Sequence, residues 1–98
     1  MADLSDLHSE LRQVQKQLDA AYQTFFAEYP DCDIDTAYEL EHIAPMQRAV
    51  DKARMKLLRK PSKLPMDIAR KVVSIYGDEL HCTNDEIAAL VNDARRFL

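Results

Sequence analysis

Glycine is nearly missing from this chain: one occurs in 98 residues. Hairpin turns, strand bulges and phosphate-cradling loops lean on the backbone freedom of glycine, so β-architecture and nucleotide-binding loops are both disfavoured. Long apolar runs are missing as well, and nothing approaches the ~20 residues that span a bilayer. The start, Met1-Ala2-Asp3-Leu4-Ser5-Asp6, is acidic where an export leader is basic and then apolar. Cysteine is limited to Cys32 and Cys82, far apart, which read as free thiols of a reducing compartment. These absences lead us to expect a cytoplasmic protein with no membrane partner.

What is present has an ordinary globular composition, 47% apolar and 31% charged, at a length that suits one domain over residues 1–98. Leu4, Leu7, Leu11, Val14, Leu18, Ala21 and Phe25 recur at steps of three and four, which predicts a helix over about 4–29, stopped by Pro30. Thr36-Ala37-Tyr38-Glu39 has the spacing of a capping box and opens a second helix over about 36–60. Ile43, Met46, Val50, Ala53 and Leu57 form its inward stripe. Pro45 removes a backbone donor and crowds the preceding turn, so a kink or break is expected just before it.

After the connector Pro61-Ser62-Lys63-Leu64-Pro65, a third helix is expected over about 65–76. Its pattern would bury Ile68, Ala69, Val72, Val73, Ile75 and Tyr76, expose Asp67, Arg70, Lys71 and Ser74, and end at Gly77 in a left-handed cap. Thr83-Asn84-Asp85-Glu86, a second capping box, opens a fourth helix over about 84–97. Ile87, Leu90, Val91, Ala94 and Leu98 would face inward. The fold class is therefore all-α: a small helical bundle in which a long antiparallel hairpin packs against two shorter helices.

Charge is sorted along the chain. Residues 1–47 hold ten acids and two bases, residues 48–71 nine bases and two acids, and residues 72–98 five acids and two bases. A turn near residues 32–33 sets residue i of the first helix beside residue 65 − i of the second, so Asp3, Asp6 and Glu10 should meet Lys60, Arg59 and Arg54 or Lys56. Such exposed pairs contribute only ~0–1 kcal/mol each, and their role is orientation and register. The tip is different. Glu28, Asp31, Asp33, Asp35, Glu39 and Glu41 gather there with no lysine or arginine between residues 17 and 47, and closing the hairpin concentrates them beside Tyr29 and Tyr38.

Other constellations fail on spacing. Asp31, Asp33 and Asp35 echo the first calcium ligands of a helix–loop–helix site, but Thr36 stands where glycine belongs and His42 where the bidentate glutamate belongs. Cys32, His42, His81 and Cys82 lack zinc-ligand spacing. No nucleophile, base and orienting group fall into a recognisable pattern, so no enzyme, cofactor or metal is expected. The expected function is a protein-interaction module, an inhibitor or adaptor. Its acidic tip (Glu28, Tyr29, Asp31, Asp33, Asp35, Tyr38, Glu39 and Glu41) would meet a basic surface on a partner protein, a nucleic-acid-binding groove being one version of it. Two alternatives stand beside it. A stripe of Arg48, Lys52, Lys56 and Arg59, extended by Lys60 and Lys63, has the spacing to hold nucleic acid phosphates, although the total charge of −4 opposes it. The long stripe of the first helix could instead pair two copies into a homodimer.

Overall fold

The computed structural model describes residues 3–77 and 82–98. Its elements are α1 (Leu4–Glu28), α2 (Thr36–Tyr38), a π-helical turn π1 (Glu39–Ile43), α3 (Ala44–Arg59), α4 (Pro65–Tyr76) and α5 (Asn84–Arg95). No strand occurs among the described residues. Asp3 and Asp6 open α1 by exchanging bonds, each carboxylate accepting from the other's backbone amide at 2.9 and 3.3 Å. That exchange occupies the two acids that charge alone would have sent to Lys60 and Arg59.

The disruption expected near Pro45 takes the form of π1. Backbone angles stay right-handed from Tyr38 through Ala44, and the Ala44 amide donates to the Glu39 carbonyl, five residues back. Proline cannot donate to the carbonyl four residues earlier, and its ring collides with it. One widened turn displaces that carbonyl, and Pro45 then sits in the first turn of α3, where its missing donor costs nothing. The cap of this helix falls one residue earlier than the capping-box spacing suggests. Asp35, not Thr36, accepts the Tyr38 amide at 2.8 Å.

The hairpin of α1 against α2, π1 and α3 is the frame, and α4 and α5 close its open end. Leu7, Leu11, Val50, Ala53, Leu57, Leu58 and Ile75 form the main core. Burying a side chain such as Leu57 fully stabilises by about 1.5–3 kcal/mol. Beyond Leu18 and Val50 the hairpin continues as a two-helix arm with a smaller core at Phe25 and Ile43. The molecule measures 51 × 26 × 19 Å with a radius of gyration of 15.7 Å, against about 13 Å for a compact chain of this length.

The inward faces of α4 and α5 differ from the hydrophobic pattern. Lys71 is fully buried, while Val72 and Val73 are 42% and 70% exposed. In α5, Glu86 and Asp93 are buried, whereas Ile87 and Val91 are exposed, and Leu98 beyond its end is fully so. The helices are turned so that Ile68, Lys71 and Ile75 face the bundle, because Lys71 has a carboxylate and a carbonyl waiting for it there. Gly77 is also a correction. Its φ of −55° and ψ of −35° are right-handed, and its amide simply donates to the Val73 carbonyl at 3.0 Å.

Candidate functional site

The tip is built from its aromatics outward. Phe25 is buried at the end of α1, with the rings of Tyr38, Tyr29 and Phe26 at centroid distances of 4.9, 5.3 and 5.4 Å. The Tyr38 hydroxyl donates to the Ala21 carbonyl at 2.6 Å, tying the second limb of the hairpin to the first. The His42 ring lies against Tyr38 at 4.6 Å. Tyr38 is thus half-buried and structural, while Tyr29 is exposed.

The structure brings all six tip acids to the surface together: Glu28, Asp31, Asp33, Asp35, Glu39 and Glu41 are exposed. Asp35 is occupied as a helix cap, and among the described residues the ion-pair partner of Glu41 is the His42 ring, 3.8 Å away. Among the described residues no cation lies within ion-pair distance of Glu28, Asp31, Asp33 or Glu39. Large apolar side chains share this end. Leu40 is 67% exposed between Glu39 and Glu41, with Tyr29 and Phe26 also open to solvent.

Arg48, Lys52, Lys56 and Arg59 lie along the exposed face of α3, with Lys63 exposed and Lys60 half-buried beyond its end. The hairpin answers them less than the charge sorting implies. Lys56 bonds Glu10 at 3.1 Å, one residue from the expected register. Asp3 and Asp6 stay on their own helix, and Arg54 turns instead to Glu86. No described carboxylate is within ion-pair distance of Arg48, Lys52, Arg59, Lys60 or Lys63.

The charged groups that sequence reasoning missed lie inside. The Lys71 ammonium donates to the Asp93 carboxylate at 2.7 Å and to the Lys60 carbonyl at 2.5 Å. The Ser62 amide and hydroxyl also donate to Asp93, at 2.9 and 2.5 Å, and Arg96 reaches the Ser62 carbonyl at 2.8 Å. Burial of Asp93 opposes its charge, but bonds from Lys71 and Ser62 outweigh it and hold the carboxyl down at about 2. A second network centres on Glu86, which accepts from Arg54 at 2.9 Å and from the Tyr76 hydroxyl. Burial works against the Glu86 charge too, yet Tyr76 and Arg54 keep its carboxyl below the usual range. Burial and the neighbouring Glu86 together push the Tyr76 phenol up to about 12. These bonds fasten α3, α4 and α5 to one another.

A cleft of about 490 Å³ lies between α1 and α4, with Leu4, Met66 and Val73 in its walls and Arg12 and Arg70 among its lining residues. His8 is half-buried there. Its Nδ1 is 2.8 Å from the Ser74 hydroxyl, which donates when that nitrogen is bare. Partial burial, followed by the charges of Arg12, Lys71 and Arg70, lowers the His8 pKa and favours the neutral ring.

Cys32 and Cys82 are free thiols, and His81 of the discarded zinc set lies outside the described residues. Among the described residues no three His, Cys, Asp or Glu side chains gather as metal ligands, and no helix is long and apolar enough to cross a membrane. Comparisons with protein-family models, curated proteins and solved structures return no match to this chain.

Proposed function

We propose that this chain is a non-enzymatic protein-interaction module, an inhibitor or adaptor, whose acidic tip binds a basic surface on a partner protein. The observation that carries this reading is the company the acids keep. Carboxylates with no described lysine or arginine in ion-pair distance share the end of a projecting arm with exposed Leu40, Tyr29 and Phe26. Charge attracts and orients a basic partner, while buried aromatic and aliphatic contacts supply most of the holding energy. A nucleic-acid-binding groove is one such surface, and the tip would enter it by imitating phosphate charge.

The test is affinity capture from the native cell with three baits run side by side. These are the wild type, a tip variant (Asp31→Asn, Asp33→Asn, Glu39→Gln, Glu41→Gln) and a stripe variant (Arg48→Gln, Lys52→Gln, Arg59→Gln). Asp35 is left in place because it caps the helix. A protein partner held by the wild type and stripe variant, but lost from the tip variant, supports the proposal; equal capture by all three removes it. The uncompensated bases of α3 favour a second reading, binding of nucleic acid. That reading requires salt-sensitive retention of DNA or RNA that disappears in the stripe variant.

A further inference from the structure

The cleft between α1 and α4 lies at the opposite end of the hairpin from the acidic tip. Leu4 and Glu28 bound α1, and at a rise of ~1.5 Å per residue the two are about 36 Å apart along its axis. The lining of the cleft and the tip complement one another in charge. Arg12 and Arg70 line the cleft, and both are exposed. The one carboxylate in its wall, Asp67, is already engaged, accepting the Lys63 and Leu64 amides at 2.9 Å each, with Arg70 3.9 Å away. Both also expose apolar side chains. The tip ends the arm and exposes Leu40 between Glu39 and Glu41, while the cleft exposes Met66 (60%) and Val73 (70%).

Resting on the reading of the tip as a protein-binding surface, we propose that one partner is a second copy of this chain, whose α1–α4 cleft receives the tip head to tail. Leu40 would pack against Met66 and Val73, with Glu39 and Glu41 meeting Arg12 and Arg70. An interface joining two different surfaces does not close on itself in a dimer, so it propagates into a ring or an open chain. A single arm end in a single cleft buries less than the ~800 Å² per partner of a standard complex. The association is therefore weak, with a dissociation constant on the order of 0.1–1 mM and a steep dependence on salt.

Sedimentation of the full chain over rising concentration tests this with two variants that keep the core intact: the tip variant above, and a cleft variant, Arg12→Gln with Arg70→Gln. Circular dichroism first establishes that both match the wild-type helix content. Wild-type chains should assemble progressively at low salt and dissociate at ~1 M salt, where the Debye length falls to about 3 Å. Each variant alone should stay monomeric. A mixture of the two should form a species that stops at the dimer, because one intact tip then meets one intact cleft. A wild type that stays monomeric at every concentration overturns the inference, as does self-association that survives in either variant alone. A monomeric wild type that still loses a captured partner in the tip variant would leave the tip reading standing and only the self-pairing refuted.

Discussion

The residue that most constrains this structure is a lysine. Lys71 is completely buried, and an ammonium in that position is tolerated only when a counter-charge and hydrogen bonds replace its water. Asp93 and the Lys60 carbonyl do so. Replacing Lys71 with Met removes the closer of the two cations facing Asp93, leaves its carboxylate largely stranded with only the exposed Arg96 3.3 Å away, and should cost about 3 kcal/mol in urea unfolding. Adding Asp93→Asn keeps an acceptor for the Ser62 amide and removes the stranded charge, so the double variant should be more stable than Lys71→Met alone. Strictly additive losses would mean that the two residues are not coupled. The same pair sets an acid limit. Asp93 titrates at about 2 in the fold against 3.8 for the free group. Its folded pKa is depressed, so its contribution, about 2 kcal/mol, is present above pH 3.8 and is lost as pH falls toward 2. Urea midpoints measured from pH 5 downward should fall through that window in the wild type and less steeply in Asp93→Asn.

At the scale of elements, the arm is separable from the bundle. Its core rests on Phe25 and Ile43, and the Tyr38 hydroxyl bond to Ala21 is its one long-range side-chain hydrogen bond among the described residues. Tyr38→Phe removes that bond and should cost about 1 kcal/mol. Hydrogen exchange should quicken across the end of α1, α2 and π1, with little change in α4 and α5, because the arm opens without the bundle. Uniform quickening across the molecule would show that the arm does not open on its own. The hairpin itself was legible in the sequence. Its leucine stripe repeats over a long window, and Pro30 and Pro45 mark the turn and the disruption. Lys71 was not legible, because one hydrophobic alphabet scores Val72 and Val73 inward and a lysine outward. Its position three after Ile68 and four before Ile75, with Asp93 on the neighbouring helix, was the only trace. At the candidate site, the six acids were legible as a cluster, whereas exposed Leu40 and the cleft around His8 depended on how the helices sit.

For the whole molecule, the charge sorting reads as a gathering of acids at the tip more than as pairing across the hairpin. Of the expected cross-hairpin bonds Glu10–Lys56 forms, while Asp3 and Asp6 turn back onto α1. The tip therefore gathers six acids with no described lysine or arginine within ion-pair distance, while the broad end mixes its bases with Asp3, Asp6 and Glu10. Folding alone gains nothing from crowding the tip acids, since like charges in water repel by about 1 kcal/mol at 4 Å and less beyond it. Neutralising Asp31, Asp33, Glu39 and Glu41 should consequently raise stability, by up to roughly 1 kcal/mol at low salt. The gain should vanish at ~1 M salt, where the repulsion is screened. A chain stabilised by losing its tip acids holds them for something other than its fold, as residues of binding surfaces commonly are. A tip variant less stable than the wild type at low salt would instead make the acids structural and take away the physical ground for treating the tip as a surface kept for a partner.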